Sequence, residues 1–428
     1  MTRQSTLIAL LQLLIVSLLP HSLFALDSNV KNLVVFGDSY SDLGNFHRWT
    51  NGPVWSENVA VAWNASLYSF AYTGSACDNE LFPNVSAADQ MPSIRDQIEM
   101  FYNLDLNLDP TETVFAVWVG INDIQKSYQQ SLGTDELPDF KNVALCIGQQ
   151  LRNIRKVFHA SRIMVFNVPP LERMPFFADN DEHADKEVWG QAAVELNRML
   201  QNDVVSLNKH HHALELDLVD VHSLLSDIAA DPPIFGFSDA THAYLDACQG
   251  ACQDEINDFV WWDRTHLTGG AHHVIANSIL LAGSYAQSTS VDITLTNVQA
   301  LLEDPKSRYR SPVYIPPPNT GLIDQIVQEM TKSTPSTIEV QQDLDDEYLL
   351  GASHLLNRVF IWSTLVLAVA AVLFAWRRQQ QHRRSPCRCR SGGGLLDPSS
   401  IESQHRGRYF SPFRPNNSNG NSEMTETK

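Results

Sequence analysis

The chain has 428 residues and a formal net charge of −19, with 43% hydrophobic and 18% charged residues. This composition supports a full hydrophobic core and excludes a mostly disordered chain. Residues 377–428 carry a net charge of +6, and residues 1–376 carry −25. Because so acidic a region repels phosphate backbones, the charge argues against nucleic acid as a partner.

The N-terminal segment has the pattern of a secretory signal peptide. An apolar stretch from Leu7 to Leu19 follows Arg3, and small or turn-forming residues come after it. Such a segment is removed from the mature protein, and we assign it to residues 1–25, with cleavage after Ala25. An uncleaved membrane anchor is the alternative interpretation.

A second apolar segment predicts one C-terminal transmembrane helix. Residues 359–376 include no charge and are long enough, as a helix, to cross the hydrocarbon core of a bilayer. The basic residues that follow place the tail, residues 377–428, in the cytoplasm, where we expect it to be disordered. The chain is therefore predicted to be a single-pass type I membrane protein of the secretory pathway, with an extracellular catalytic domain. A buried helix is the alternative.

Four cysteines lie on the predicted extracellular side, namely Cys77, Cys146, Cys248 and Cys252. An even number of cysteines in an oxidising compartment favours disulfides. Cys248 and Cys252 are close enough in sequence to pair, which leaves Cys77 with Cys146. A zinc site is the alternative, but further ligands at suitable spacing are missing, so we predict no metal. Two Asn-x-Ser sequences are candidate glycosylation sites, at Asn64 and Asn84.

Residues 26–288 have the pattern of one α/β domain. Four apolar runs predict strands, at Lys31–Phe36, Thr113–Val119, Arg162–Val168 and Ala213–Val221. Segments with helical spacing lie between or after them, at Phe140–His159, Lys186–Leu207 and Gly269–Ala286. This alternation predicts a parallel sheet covered by helices on both faces, with the ligand site at the carboxyl ends of the strands. Residues 289–358 predict an extracellular stalk with a short helix near Leu322–Met330.

A candidate nucleophile directly follows the first predicted strand. Ser39 lies within the sequence GDSYSDLGN, residues 37–45. A serine at a strand-to-helix turn has an exposed hydroxyl and a backbone N–H at a helix start, where developing negative charge is favoured. A tight turn without chemistry is the alternative.

A candidate base lies before the last predicted helix. Asp263 and His266 are separated by two residues, so one short loop can present both. A serine needs a base to become a nucleophile, and a carboxylate can fix the imidazole tautomer. Asp239 and His242 have the same spacing, but no strand precedes them and no long helix follows. We therefore predict that Asp263 and His266 are the catalytic pair.

Two further residues could stabilise an oxyanion, which acyl transfer requires. Gly74 offers a backbone without a side chain that can approach a substrate closely. Asn122 follows the second strong strand, and its amide could point into the cleft that Ser39 faces. Each residue taken singly could equally belong to an ordinary turn.

Together, Ser39, Gly74, Asn122 and His266 resemble the four ordered blocks of the GDSL esterases and lipases, the SGNH hydrolase superfamily. The resemblance covers residues 31–286. It implies a flavodoxin-like, three-layer α/β/α sandwich around a parallel sheet of about five strands. It also implies that Ser39 is the nucleophile, His266 the base and Asp263 the residue that orients it. The Ser39 and Gly74 N–H groups and the Asn122 side chain would form the oxyanion hole, while Asp42 and Asn45 would brace the turn.

A narrower resemblance is to fungal acetylesterases of carbohydrate esterase family sixteen. It rests on Phe36–Asn45, Thr50–Trp55, Phe70–Asn79 and Val117–Ile124. It implies a serine esterase that acts without a cofactor on short-chain esters of carbohydrates, with an acetylated oligosaccharide as substrate. A lipase or lysophospholipase on the same scaffold is one alternative, and a surface binding protein without turnover is the other. Trp49, Trp55 and Trp118 could stack on a sugar, although a place in the core is the interpretation we favour.

Overall fold

The computed structural model describes residues 30–86, 90–131, 138–178, 186–211, 214–248, 255–289, 294–318 and 320–333, and the backbone of Phe410–Ser411. Seven strands precede residue 300, namely β1 (Asn32–Gly37), β2 (Ser66–Ser69), β3 (Thr113–Trp118), β4 (Arg162–Phe166), β5 (Glu215–Val219), β6 (Asp239–Ala243) and β7 (Phe259–Trp261). The helices are α1 (Trp55–Trp63), α2 (Ile94–Asn103), α3 (Ile121–Ser131), α4 (Lys141–Phe158), α5 (Pro175–Ala178), α6 (Lys186–His210), α7 (Val221–Ala230), α8 (Tyr244–Cys248), α9 (Gly269–Ala282), α10 (Leu295–Glu303) and α11 (Leu322–Ser333).

The main sheet has the predicted parallel architecture. Five parallel strands lie in the order β2-β1-β3-β4-β5. Every residue of β3 is buried, as expected for a continuous apolar run in a sheet covered on both faces. Parallel strands are joined by right-handed crossovers as a rule, and crossovers in opposite directions from β1 then put helices on both faces of the sheet. Helix α1 packs against α9, and α4 packs against α6. The four strands that the apolar runs predicted are therefore confirmed.

The edge strand β2 is the parallel strand of the main sheet that the sequence did not predict. It has four residues, with the sequence SLYS, and lacks the long apolar run of its neighbours. It pairs with β1 from Asn32–Ser66 to Val35–Ser69. Because β2 lies on one side of β1 and β3 on the other, the strand order reverses at β1. In open α/β sheets, this reversal creates a crevice at the carboxyl ends of the strands.

The segment predicted as a stalk instead packs on the domain over its first part. Residues 305–318 and 320–324, here called the strap, follow the outer edge of β2. The N–H of Leu67 donates to the carbonyl of Arg308 at 2.9 Å, and the N–H of Ser69 donates to Ser311 Oγ at 2.8 Å. The prediction of a stalk from residue 289 is therefore wrong for the strap. The proline-rich sequence of the strap gives no local signal of this pairing, because the hydrogen-bonding partners lie on the distant strand β2.

The strap is also anchored beyond β2. The ring of Tyr314 stacks on Phe70 with 4.2 Å between ring centroids. The buried carboxylate of Glu99 accepts hydrogen bonds from the N–H groups of Thr320 and Leu322, each at 2.9 Å. These contacts make the strap an integral part of the domain.

The predicted targeting segments lie outside the described residues. These are the signal peptide, residues 1–25, the apolar segment Val359–Trp376 and the tail apart from Phe410–Ser411. Within the described part of the chain, no helix combines the length and hydropathy needed to cross a membrane. Phe410–Ser411 pairs antiparallel with β5, at Leu218–Ser411 and Val219–Phe410. The predicted topology puts these residues and β5 on opposite sides of a membrane, so this pairing and a single span cannot both hold in one molecule.

Candidate active site

The predicted site residues lie on loops that leave the carboxyl end of the sheet. Ser39 follows β1, Gly74 follows β2 and Asn122 follows β3 within the first turn of α3. These are the neighbouring strands at which the strand order reverses. The fold therefore brings together three residues that are far apart in sequence, at the place where α/β sheets bind ligands.

The turn that carries Ser39 is tightly packed beneath the serine. A Cβ atom on Gly37 would lie 2.8 Å from the carbonyl oxygen of Trp118, so only glycine fits at this point of β1. The next residue, Asp38, is fully buried and its Oδ1 accepts the N–H of Tyr40 at 3.1 Å. Ser39 itself is half-buried, and its Oγ makes no hydrogen bond to any residue that the structure describes. The hydroxyl is thus held in place by the backbone alone.

Asp263 and His266, predicted as the catalytic pair, lie within hydrogen-bond distance of each other. His266 Nδ1 lies 2.9 Å from Asp263 Oδ1 and 2.8 Å from Oδ2. The N–H groups of Thr265 and His266 each donate to Asp263 Oδ1 at 2.8 Å. Burial alone would raise the pKa of the Asp263 carboxyl, but the hydrogen bonds and charge of His266 and the backbone N–H groups together hold the pKa below its ordinary value. Asp263 therefore stays ionised and fixes the proton on Nδ1, which leaves Nε2 as the base.

Two aromatic side chains place His266 beside the nucleophile turn. The Tyr40 ring lies 6.0 Å from the His266 ring, and the Tyr40 hydroxyl donates to the carbonyl of Thr265. The Trp49 ring stacks on the His266 ring, with 5.2 Å between the ring centroids and 12° between the ring planes. Because Tyr40 is the residue after Ser39, these contacts bring the imidazole to the edge of the sheet where Ser39 lies. No hydrogen bond joins Ser39 and His266 here, and in ligand-free sites such bonds are often long and tighten on substrate binding.

The competing pair, Asp239 and His242, lies in the irregular strand β6 and makes the same local hydrogen bonds. His242 Nδ1 lies 2.8 Å from Asp239 Oδ2, and the N–H groups of Thr241 and His242 donate to Asp239 Oδ1. The two pairs differ in their surroundings. The His242 side chain is 68% exposed, whereas that of His266 is 15% exposed and has Trp49 against its ring. The structure therefore places the second pair on the surface.

The backbone at Gly74 is shaped to leave its N–H free. Gly74 has φ +83°, a left-handed conformation that favours glycine. Among the described residues, neither its N–H nor the N–H of Ser39 has a hydrogen-bond acceptor. Asn122 Nδ2 donates one hydrogen to the carbonyl of Ser75 at 2.9 Å, which leaves its second hydrogen available. The structure thus brings three donors to one edge, as an oxyanion hole requires.

Removing the Asn122 amide should slow ester hydrolysis without unfolding the protein. We expect Asn122→Ala to lower kcat by about 10²–10³-fold, the usual effect of deleting one oxyanion donor, with little change in KM. Steady-state hydrolysis of nitrophenyl acetate measures both parameters. Turnover near that of the wild type would remove Asn122 from the site.

Two polar side chains that carry no predicted chemistry connect the loops of the site. Asp42 Oδ2 accepts both the N–H and the hydroxyl of Thr73 at 2.9 Å, which ties the nucleophile loop to the residue before Gly74. Gln97, fully buried on α2, accepts the N–H of Gly37 at 2.8 Å and donates to Ser75 Oγ at 3.0 Å. Asp42 therefore braces the turn in the expected way. Gln97 carries no local sequence signal, because its partners lie 60 and 22 residues away.

Lys126 is a second residue that the sequence did not single out. It lies one helical turn after Asn122 on α3, and its Nζ donates to the carbonyl of Gly74 at 3.1 Å. Asn122 and Lys126 thus hold the consecutive carbonyls of Ser75 and Gly74. The spacing of four residues was the available signal, since residues so separated share a face if the segment is helical.

Two buried carboxyl groups lie next to the site residues in sequence. Burial raises the pKa of Asp38 to about 7, against the opposing hydrogen bond from Tyr40 and with help from the charge of Asp123. Burial likewise raises the pKa of Asp123 to about 6, although the N–H of Cys77 and the charge of Lys126 oppose the shift. One oxygen of each carboxyl, Oδ2, has no hydrogen-bond partner among the residues that the structure describes. Ionising Asp38 is therefore costly to the folded state.

The stability of the domain should fall as pH rises through the pKa of Asp38. Between its ordinary value of 3.8 and about 7, the folded protein retains a proton that the unfolded chain loses. The native state then binds more protons, so the free energy of unfolding decreases with pH, by about 4 kcal/mol in total. Asp38→Asn removes this dependence. Urea unfolding should show the variant gaining stability relative to the wild type from pH 5 to pH 8, and an equal difference at both pH values would contradict the assignment.

The remaining predicted residues are placed as follows. The Cys77–Cys146 disulfide is present and links the loop after Gly74 to α4. Cys248 is disulfide-bonded, and its predicted partner Cys252 lies outside the described residues. Asn64 and Asn84 are exposed, so both candidate glycosylation sites are accessible. No cluster of three His, Cys, Asp or Glu side chains within the described ranges could hold a metal ion.

The three tryptophans considered for sugar stacking divide between core and site. Trp55 and Trp118 are fully buried, and both pack against Phe166, with ring centroids 4.5 Å and 4.6 Å away. They belong to the core, which is the interpretation that the sequence analysis favoured. Trp49 lies at the site, where it stacks on His266.

The sequence profile of the GDSL-like lipase/acylhydrolase family matches residues 33–279, more than half of the chain. The chain belongs to this family. The family is one of carboxylic ester hydrolases, and the matched range contains every residue of the site described above. The predicted superfamily is thereby confirmed.

Individual relatives are distant. A thermolabile hemolysin of Vibrio parahaemolyticus is 23% identical over 282 residues, which cover 59% of this chain and 63% of the hemolysin. An acetylesterase of Hypocrea jecorina is 23% identical over 317 residues, covering 58% of this chain and 88% of the acetylesterase. Among solved structures, the acetylxylan esterase Axe2 of Geobacillus stearothermophilus is 11% identical, with a TM-score of 0.33, and covers 61% of this chain and 100% of its own. The chain thus spans less than two thirds of the hemolysin's length.

Proposed function

We propose that the protein is a serine esterase that removes short acyl groups, acetyl above all, from carbohydrates. The observation that carries the chemistry is the Asp263–His266 pair at the sheet edge that also holds Ser39 and the donors of Gly74 and Asn122. A nucleophile, an oriented base and preorganised oxyanion donors are the components that acyl transfer needs.

The mechanism follows from the positions of these groups. Ser39 Oγ attacks the ester carbonyl while His266 Nε2 takes its proton, and the Ser39 and Gly74 N–H groups and the Asn122 amide bind the tetrahedral oxyanion. His266 then gives the proton to the departing alcohol, and an acyl-serine remains. Water, deprotonated by His266, attacks the acyl group, which leaves as the free acid and regenerates Ser39. Asp263 keeps the imidazole oriented throughout.

The preference for acetyl rests on resemblance. The acetylesterases of Hypocrea jecorina and Thermothelomyces thermophilus are both similar to this chain, with 23% and 22% identity. The sequence blocks that resemble carbohydrate esterase family sixteen lie on the loops that surround the site. These likenesses support a short acyl group and a carbohydrate alcohol as the two halves of the substrate.

A series of nitrophenyl esters from acetyl to palmitoyl tests this proposal on the full chain. We expect kcat/KM to be highest for acetyl and to disappear in Ser39→Ala, and we then expect release of acetate from acetylated xylo-oligosaccharides. A maximum at long chains would replace the acetylesterase with a lipase. Equal rates for wild type and Ser39→Ala, on folded protein, would leave a binding role.

We propose further that the domain is extracellular and anchored by the apolar segment Val359–Trp376. The Cys77–Cys146 disulfide and the exposed Asn64 and Asn84 support passage through the secretory pathway. Protease treatment of intact cells, with endoglycosidase digestion, tests the topology. We expect cleavage of the catalytic domain, a mass shift from its glycans and protection of the tail. Protection of both regions would favour the pairing of Phe410–Ser411 with β5 instead.

A further inference from the structure

The exposed face of the strap combines two kinds of side chain that are unusual together on this domain. Lys306, Arg308 and Arg310 are exposed, and none forms an ion pair with a carboxylate of a described residue. Val313 and Ile315 follow, with 64% and 87% of their surfaces exposed. These cations lie in a region, residues 1–376, whose net charge is −25. The Arg308 guanidinium also donates to Ser66 Oγ on β2, at 3.2 Å and 3.4 Å. A basic run beside exposed aliphatic side chains is therefore a local exception in an acidic region.

The direction of the strap explains why Val313 and Ile315 face solvent. Tyr314 between them turns inward, where its ring stacks on Phe70 with 4.2 Å between centroids. Neighbouring side chains of an extended chain point to opposite sides, so the residues before and after Tyr314 point outward. Since the backbone of Tyr314 is fixed at both its polar groups, the exposed side chains are held at the surface in one arrangement.

The strap brings these side chains to the rim of the candidate active site. The N–H of Tyr314 donates to Asn45 Oδ1 at 2.9 Å, and its carbonyl accepts the hydroxyl of Tyr72. The next residue after Asn45 is Phe46, which is 55% exposed. Phe46 is therefore the exposed apolar residue next to the point where the strap contacts the loop that carries Trp49. We call the set of Phe46, Lys306, Arg308, Arg310, Val313 and Ile315 the docking surface.

We propose that the docking surface binds a phospholipid bilayer, with its cations on lipid phosphates and its apolar side chains in the interfacial region. Interfacial binding combines these two contributions, and basic residues strengthen it on anionic lipid. The strap contains prolines at positions 312, 316, 317 and 318, which lack the N–H that a partner strand would need. That composition disfavours a protein that binds by strand addition.

The length of the chain beyond the domain also favours a bilayer as the partner. Helix α11 ends at Ser333, and 25 residues separate it from the apolar segment Val359–Trp376. A linker of that length reaches at most about 90 Å, so an anchored domain stays within reach of the membrane surface. Contact through the docking surface would hold the rim of the active site close to the lipid headgroups. The inference does not depend on which ester the site hydrolyses.

Hydrogen–deuterium exchange of the full chain tests the proposal in three environments: a nonionic detergent, phosphatidylcholine nanodiscs, and nanodiscs that also contain phosphatidylglycerol. We expect amide exchange in residues 305–318 to slow about fivefold or more from detergent to phosphatidylcholine, and to slow further with phosphatidylglycerol. Val313→Ser/Ile315→Ser should lose the protection in both bilayers. Arg308→Gln/Arg310→Gln should lose only the increment that the anionic lipid adds.

A matched control variant and a measurement of thermal stability distinguish a lost lipid contact from a loss of folding. Ile234 is 74% exposed and lies outside the docking surface, so Ile234→Ser should leave the protection unchanged. Thermal unfolding in detergent should give every variant a melting temperature close to that of the wild type, because the altered side chains face solvent. Equal exchange of residues 305–318 in detergent and both bilayers would overturn the proposal, and so would full protection in Val313→Ser/Ile315→Ser.

Discussion

His266→Ala should lower kcat/KM for nitrophenyl acetate by about 10³-fold or more, whereas His242→Ala should leave it within about twofold. General acid–base catalysis and nucleophile activation depend on one imidazole, and removing a member of such a unit costs most of what the unit supplies. His266 has Asp263 on Nδ1, Trp49 stacked on its ring and Tyr40 nearby. His242 shares the carboxylate contact but is largely exposed.

Comparing His266→Ala with His242→Ala distinguishes the active site from the Asp-x-x-His motif, which occurs at both positions. Both histidines follow an Asp by three residues, and the backbone N–H of each donates to the carboxylate of that Asp. Initial rates across pH 6–9, with circular dichroism to verify folding, provide the comparison. If His242→Ala lost as much activity as His266→Ala, the assignment of His266 as the general base would be wrong.

A chain that ends at Ser288 should fail to fold, whereas a chain that ends at Ser333 should unfold cooperatively. The shorter chain lacks Val298 and Ile323, both fully or almost fully buried, and the stack of Tyr314 on Phe70. It also leaves the buried Glu99 carboxylate without the N–H groups of Thr320 and Leu322. Burying each large apolar side chain contributes about 1.5–3 kcal/mol, so the total loss approaches the 5–15 kcal/mol by which a typical domain is stable.

Expression of residues 27–288 and 27–333 as secreted proteins tests this prediction directly. We expect the longer chain to show one thermal transition and the shorter chain to be aggregated or without a transition. The loss of Ser311 from the edge of β2 adds to the effect, since the N–H of Ser69 would then face no partner. Equal melting temperatures for the two chains would show that the strap is dispensable and that the domain boundary predicted near residue 288 was adequate.

Long apolar runs made most of the sheet predictable. A strand such as β3 is buried on both faces, so its sequence TVFAVW leaves little choice of structure. The four-residue β2 was not predicted because an edge strand needs no such run and draws its stability from pairing with β1. The strap was not predicted for a related reason. Its hydrogen bonds to Leu67 and Ser69 join residues more than 240 positions apart, and no local pattern encodes them.

The site shows which features the local sequence determines and which depend on tertiary packing. The Asp-x-x-His turn forms from its own hydrogen bonds, and for that reason it forms twice, at Asp239 and at Asp263. Only tertiary packing gives His266 its burial and its aromatic neighbours. Gln97 illustrates the same limit, because a buried amide that joins Gly37 to Ser75 is specified by the fold and not by its neighbours in sequence.

Covalent labelling with a fluorophosphonate tests the central claim, that Ser39 is an activated nucleophile. The reagent forms a bond to a serine whose hydroxyl is deprotonated by a neighbouring base, and the phosphonyl group mimics the tetrahedral intermediate. Intact-mass and peptide mass spectrometry of the full chain should show one adduct, on Ser39, that is absent in Ser39→Ala and greatly slowed in His266→Ala. A folded protein that forms no adduct, or that carries its adduct on another serine, would contradict the account.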